Sequence, residues 1–259
     1  MSAYALIGEK LGHSYSKIIH EKFYKEKNLR DTYELIEIPK GNLKEEFKRI
    51  SSEYAGINVT IPYKQDVMEF LNELSPEAQD IGAVNTVRFL NGCAKGYNTD
   101  YFGLKCTLNV NDIDIKNKKV VILGTGGVSK AALAVCRDMG AGDITFVSTS
   151  QPDLRDYRVI SYNDKLEGDV LINCTPVGMY PNVDACPVDD ISSSFGAVVD
   201  TIYNPAVTRL MEMACGNGIK AVSGLYMLVS QALYSQAIWR GEATDTEIID
   251  KIYRDMSAN

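Results

Sequence analysis

Residues 120–133 read VVILGTGGVSKAAL: an apolar strand that runs through a glycine turn directly into a helix. This is the tract that most restricts the fold. A buried strand, a turn free to take unusual backbone angles and a helix packed close behind it form the β-turn-α unit of parallel α/β sheets. Gly124 and Gly126 close the strand, and Ser129 takes the third small position, where a small side chain suffices for close packing. The turn Gly124, Thr125, Gly126, Gly127, Val128 and Ser129 leaves backbone N–H groups at the helix start, where the helix dipole favours a pyrophosphate. A glycine turn can also simply connect a strand to a helix. Its place in a strand-helix-strand run favours a nucleotide site.

The next strand ends in TFVSTSQPD (145–153). No Asp or Glu stands at the strand end to take a ribose 2′-hydroxyl, which disfavours the usual NAD arrangement. Ser148, Thr149 and Ser150 suit hydrogen bonds to a 2′-phosphate, with Arg155 or Arg158 as an approaching cation. A plain polar turn is the other reading of the same residues.

The first hundred residues alternate in the same way. Strands are expected at 4–8, 32–38 and 56–61, and helices at 16–27, 43–50 and 63–74, the last running to the Ser75-Pro76 break. Residues 83–100 read as two short strands about Asn91-Gly92, a hairpin turn signal that would add an antiparallel edge to a largely parallel sheet. After a polar stretch at 109–119, strands are expected at 169–178, 197–203 and 219–224. Residues 225–239 read as a helix apolar around most of its circumference, hence buried. Thr244 and Glu247 suggest a capping box for a last helix.

Composition narrows the partners. The net charge is −7, with no Lys/Arg block, so nucleic acid and anionic membrane surfaces are not expected as general partners. Apolar runs fall below the ~18 residues of a membrane span. The N-terminal MSAYALIGEK has an early glutamate and no long apolar region, so it is not read as a signal peptide, and the chain is expected to be cytoplasmic. Six scattered cysteines without a CxxC pair argue against a disulfide framework. The two histidines, His13 and His20, lack a nearby Cys or acidic cluster, so no metal site is expected.

In NVTIPYK (58–64), Ile57, Val59 and Ile61 alternate with Asn58 and Thr60, and Pro62 fits a helix's first turn. Lys64 would then stand at a strand-to-helix mouth, where α/β folds bind ligands. A solvated surface lysine is the plainer reading.

Several short tracts, in order along nearly the whole chain, resemble the shikimate dehydrogenase family. They are GHSYSKIIH (12–20), NVTIPYK, GAVNTV (82–87), GYNTDYFG (96–103), GTGGVS, NCTPVGM (173–179), DTIYNPAVT (200–208) and GLYMLVSQA (224–232). The resemblance implies two α/β domains around a cleft. The substrate domain would be residues 1–102 completed by helices in 225–259, and residues 103–224 a Rossmann-like dinucleotide-binding domain. It implies reduction of 3-dehydroshikimate with NADP(H), with Lys64 and Asp100 as the catalytic pair. Ser14, Ser16 and Tyr203 would take the substrate carboxylate, and Thr60, Asn85 and Gln231 the ring hydroxyls. Ile202 and Gly224 would border the nicotinamide. Gln231 stands out on physical grounds too, since an amide in an apolar helix demands partners.

The chain departs from the family pattern in three places. Lys17 stands where proline is usual. Thr149 stands where NADP-using members carry an arginine, so a planar bidentate partner for the 2′-phosphate is missing there. The segment 150–168 is short and is expected to lack a helix beside the adenosine. An NAD-accepting quinate/shikimate dehydrogenase is therefore the near alternative, and a non-catalytic shikimate-binding regulatory module the distant one. A monomer or a homodimer is expected.

Overall fold

Two six-stranded sheets with their helices take up the alternation of apolar strands and amphipathic helices. The computed structural model describes every residue except His13, Gln151, Arg155 and Asn259. The metal question at His13 and the phosphate contact considered for Arg155 thus lie outside the described residues. The chain divides into two compact units, Met1–Gly103 with Leu228–Asn259, and Leu104–Met227. No described helix is long and apolar enough to cross a membrane.

The first unit runs β1 (Ala3–Gly8), α1 (Ser16–Glu26), β2 (Thr32–Glu37), α2 (Leu43–Glu53), β3 (Gly56–Val59), β4 (Glu73–Leu74), α3 (Pro76–Ile81), β5 (Thr86–Leu90) and β6 (Cys93–Tyr97). It also holds the start of α4 (Thr99–Val110). Its sheet has the order β2-β1-β3-β5-β6-β4. β1 lies parallel to β2 and β3, whereas β5 pairs antiparallel with β3 and with β6. On one face Ile57 and Val59 of β3 join Ala5, Ile7, Phe47 and Ile50 in a buried cluster. On the other face Asn58, only 5% exposed, meets Tyr33 of β2. Both faces are covered, so the polar half of the β3 alternation is buried instead of solvated.

The second unit holds β7 (Lys119–Leu123), α5 (Gly127–Asp138), β8 (Asp143–Val147), β9 (Arg158–Ile160), β10 (Val170–Asn173), β11 (Ala197–Asp200), α6 (Arg209–Gly216) and β12 (Lys220–Val222). Its sheet, β12-β11-β10-β7-β8-β9, is parallel throughout. The strand order reverses between β7 and β10, the switch point outside which open α/β sheets bind ligands. Between β8 and β9 the described residues form no helix. The chain ends with α7 (Leu225–Arg240) and α8 (Thr246–Ser257).

The α7 segment that lies in the first unit is anchored by Trp239. Its ring stacks on Tyr4 at 4.6 Å, and its Nε1 donates to the Val87 carbonyl at 2.9 Å. Gly56 leaves room for it, since a Cβ at that position would stand 2.3 Å from the indole. Beneath it His20 stacks on Tyr33 at 3.9 Å, with Gln236 Nε2 2.8 Å from its Nδ1. Burial holds the His20 imidazole down from 6.5 to about 3. Below about pH 6.5 the unfolded chain takes up a proton that the folded chain refuses. This contribution to stability is therefore complete above pH ~6.5 and is lost as pH falls toward about 3. Stability at about pH 5 should lie roughly 2 kcal/mol below that at about pH 7.5 from this residue alone. Urea unfolding of wild type and His20→Gln at the two pH values measures it. An equally steep decline in the variant would assign the effect to other groups.

Four local expectations are corrected. Residues 63–74 are not an α-helix: the Ile61-Pro62 peptide is cis, a 3-10 turn spans Asp66–Phe70, and the chain then extends into β4. Buried Tyr63 and Val67 pin this stretch to the core, and pairing with β6 draws the following residues out straight, so tertiary contacts override helix propensity. The hairpin about Asn91 and Gly92, both at positive φ, forms inside the sheet, and β4, parallel to β6, makes the edge. The N-cap of α8 is Asp245, which accepts from Ile248 N, in place of Thr244. Its carboxylate also takes Lys27 Nζ at 2.8 Å, a partner Thr244 could not hold as a salt bridge. Ser75-Pro76 opens α3 instead of only ending a helix: Ser75 accepts from Ala78 N and Pro76 fills the first position.

Candidate active site

Lys64 lies in the turn between β3 and the 3-10 segment, where its carbonyl accepts from Val84 N at 2.8 Å. Its Nζ donates to Asp100 Oδ2 at 2.6 Å, with the two side chains only 17% and 11% exposed. Asp100 enters from the first turn of α4. Its other oxygen accepts from Asn85 Nδ2 at 2.9 Å. A short charge-assisted bond in a largely dry setting gives Lys64 one fixed direction and leaves its remaining hydrogens for a ligand. The plain surface-lysine reading is set aside by this geometry.

Asn85 is oriented by Thr99, whose backbone N–H donates to Asn85 Oδ1 at 2.7 Å. A backbone N–H only donates, so the oxygen of the Asn85 amide must face Thr99 and the nitrogen Asp100. Gln231 joins the same group: Thr99 Oγ1 donates to its Oε1 at 3.3 Å, and its Nε2 donates to the Leu228 carbonyl at 3.0 Å. One amide hydrogen of Gln231 remains for a ligand oxygen. The structure thus brings Lys64, Asp100, Asn85 and Gln231 into one hydrogen-bonded set.

Thr60 stands at the end of β3, its N–H donating to Ile7 O at 2.9 Å and its carbonyl accepting from Tyr63 N at 3.0 Å. Its backbone helps to build the Lys64 turn, but among the described residues no hydrogen bond joins its side chain to the set above. Ser14 and Ser16 lie at the start of α1, with Ser16 N donating to Ser14 Oγ at 3.2 Å. The two hydroxyls therefore stand at the positive end of the α1 dipole.

In the second unit Gly124, at φ 90°, makes the turn after β7, and Gly126 is the N-cap of α5 with no side-chain cap. A Cβ on Gly126 would meet nothing within 4 Å, so the space over the helix start is open. Gly127 and Val128 open the helix, and Ser129 Oγ donates to the Gly126 carbonyl at 2.6 Å. Thr125 Oγ1 and Ser148 Oγ lie 3.3 Å apart, and Ser148 Oγ and Ser150 Oγ 3.2 Å apart, a run of hydroxyls that passes Thr149 at the end of β8. An uncapped helix start with open space and flanking hydroxyls fits the pyrophosphate of a dinucleotide. Arg158 pairs with Thr145 at the beginning of β9, three residues or about 10 Å of strand before Ser148, so its backbone is remote from that hydroxyl run.

Tyr203, Ile202 and Gly224 also fall in the second unit. Ile202 N donates to Asp200 Oδ1 at 3.1 Å, and Gly224 N to the Ile202 carbonyl at 2.9 Å. Asp200, buried and also bonded to Asn173 and Thr208, orders this loop, and burial pushes its carboxyl upward. A Cβ on Gly224 would stand 2.1 Å from the Thr201 carbonyl oxygen, so close backbone packing alone requires glycine there.

Sequence reasoning missed Asn58, Thr86, Thr99 and Ser235, which surround Asn85. The signal was present for Ser235: like Gln231, four residues earlier, it is a polar residue in an otherwise apolar helix.

A family model described as the shikimate dehydrogenase substrate binding domain matches residues 6–87. A shikimate dehydrogenase (NADP(+)) of Clostridium beijerinckii is 40% identical over 98% of this chain and 97% of its own length. The crystal structure of a chorismate mutase/shikimate 5-dehydrogenase fusion protein from Clostridium acetobutylicum superposes with a TM-score of 0.96 at 43% identity, covering 100% of this chain and 98% of that one. Shikimate 5-dehydrogenase from Thermus thermophilus, solved in complex with NADP(H) and shikimate, gives 0.89 at 29% identity, with 98% and 99% covered. With likeness running end to end through the same two-sheet architecture, the chain belongs to the shikimate dehydrogenase family.

Proposed function

We propose that this chain is a shikimate dehydrogenase that reduces 3-dehydroshikimate to shikimate, reversibly, with NADPH. The observation that carries the reading is the Lys64–Asp100–Asn85 set, mostly buried and oriented by a backbone donor that cannot reverse. Reduction of a ketone adds a hydride to the carbonyl carbon and a proton to its oxygen. When bound at the α5 turn, NADPH supplies the hydride. Lys64 Nζ supplies the proton and polarises the carbonyl beforehand. Asp100 holds Lys64 in line and takes a substrate hydroxyl, while Asn85, Gln231 and Thr60 serve the other ring hydroxyls. Ser14 and Ser16 at the α1 start, with Tyr203, receive the carboxylate. Pre-aligned polar groups of this kind lower the barrier because they need not reorganise during the reaction.

NADP(H) is favoured over NAD(H) by the absence of an acidic residue at the end of β8 and by the Ser148–Ser150 hydroxyls. Oxidation of NADPH and NADH with 3-dehydroshikimate, on matched concentration series, tests both parts of the proposal. NADPH should give the higher kcat/KM. Preference for NADH would point to the quinate/shikimate type of activity, and no turnover with either cofactor would overturn the assignment.

A further inference from the structure

Asn58 faces away from the hydrophobic cluster of its own strand and is bonded on both ends of its amide. Its Oδ1 accepts from Tyr33 Oη at 2.8 Å. Its Nδ2 lies 2.8 Å from Ser235 Oγ, 3.0 Å from Thr86 Oγ1 and 3.2 Å from the Asn85 carbonyl. The carbonyl can only accept and the amide cannot flip without losing it, so the nitrogen is fixed on that side.

Beyond the nitrogen, three buried hydroxyls close around Asn85. Thr86 Oγ1 is 3.1 Å from Asn85 Oδ1 and 3.1 Å from Thr99 Oγ1. Ser235 Oγ donates to the Gln231 carbonyl at 2.9 Å and lies 2.9 Å from Thr86 Oγ1 and 3.2 Å from Thr99 Oγ1. Beyond the oxygen, the Tyr33 ring stacks on His20 at 3.9 Å, and His20 lies one turn of α1 from Ser16.

We infer that Asn58 is a positioning residue that ties a buried hydrogen-bond network to Tyr33, which packs on α1, and so sets the carboxylate-binding serines at the α1 start in register with the Lys64–Asp100 pair. One arm runs from Tyr33 through its stack on His20 to α1; the other is Thr86, Ser235, Thr99 and Asn85. The inference rests on the substrate assignment made above for Ser16, Lys64 and Asp100. Asn58 itself touches no reacting atom. Its position in the network suits the task, because a fully satisfied buried network is rigid. A displacement of about 1 Å at a reacting group can cost on the order of 10²-fold in rate.

The two arms can be cut separately. Tyr33→Phe removes only the hydroxyl that ties Asn58 to the α1 side, and Ser235→Ala only a hydroxyl of the arm toward Asn85. Asn58→Asp keeps the acceptor for Tyr33 but removes the donors. Steady-state kinetics with 3-dehydroshikimate and NADPH are combined with NMR of the Asn85 side-chain amide in each full-length protein. Tyr33→Phe should raise KM several-fold, with kcat within about two-fold of wild type and the Asn85 amide unmoved. Ser235→Ala should lower kcat by about ten-fold with little change in KM, and shift the Asn85 amide. Asn58→Asp should act as Ser235→Ala does, more strongly. A purely structural role would lower the folded fraction without splitting kcat from KM and without moving the Asn85 amide; that pattern overturns the inference. If wild type itself turns over no 3-dehydroshikimate, the functional assignment fails. The NMR then decides the network alone, and an unmoved Asn85 amide in both Ser235→Ala and Asn58→Asp overturns it.

Discussion

Lys64→Ala lowers kcat for 3-dehydroshikimate reduction by on the order of 10²-fold or more, with a much smaller change in KM. The size follows from the proposed role. A positioned proton donor typically contributes 10²–10⁴-fold, and 10²-fold is about 2.7 kcal/mol of barrier. In the structure Lys64 is the cation held at 2.6 Å by Asp100, and water in its place would be neither charged nor fixed. Removing Lys64 also leaves the mostly buried Asp100 with the Asn85 donor alone among the described residues, which adds ground-state disorder to the loss of the proton. Lys64→Arg should recover little, because a planar guanidinium cannot reproduce a point donor at that distance and holds its proton far more tightly. Near-normal kcat with a raised KM in Lys64→Ala would make the residue a substrate anchor and would move the proton-donor role elsewhere.

Trp239→Ala costs about 3–5 kcal/mol of stability. Trp239 is the chain's single tryptophan, 5% exposed, stacked on Tyr4 and hydrogen-bonded to Val87 O. Its deletion leaves a cavity bordered by Gly56, which has no side chain to fill it. Trp239 also pins the helix that carries Gln231 and Ser235, so the loss of packing is expected to loosen those two residues. Because the variant lacks tryptophan, far-UV circular dichroism in urea is the measurement. A change below about 1 kcal/mol would mean that neighbouring aromatic residues collapse into the space.

Five of the six strands of the second unit were legible because buried parallel strands are apolar runs and the glycine turn has a defined geometry, whereas the short edge strand β9 and the helix α6 were not read. The strand-to-helix reading of residues 56–74 failed at its second half. The periodicity of YKQDVMEFLNEL is compatible with a helix, but Tyr63 and Val67 are claimed by the core and Glu73-Leu74 by β6. Gly224 shows another limit of the sequence. Resemblance links it to the nicotinamide, whereas the Thr201 carbonyl beside it demands glycine for packing alone.

By itself the sequence determined the class of fold and the turn that suits a dinucleotide, since each depends on chemistry within a few neighbouring positions; the pairing of Lys64 with Asp100, 36 positions apart, came from the family resemblance. The tertiary structure decided which way those residues point. Asn58 and Ser235 stand 177 positions apart, and only the covering of both faces of the first sheet brings them within 2.8 Å. The orientation of Asn85, and with it the bond to Asp100, depends on donors that no local pattern links, because hydrogen-bond direction is set by partners in space and not by neighbours along the chain.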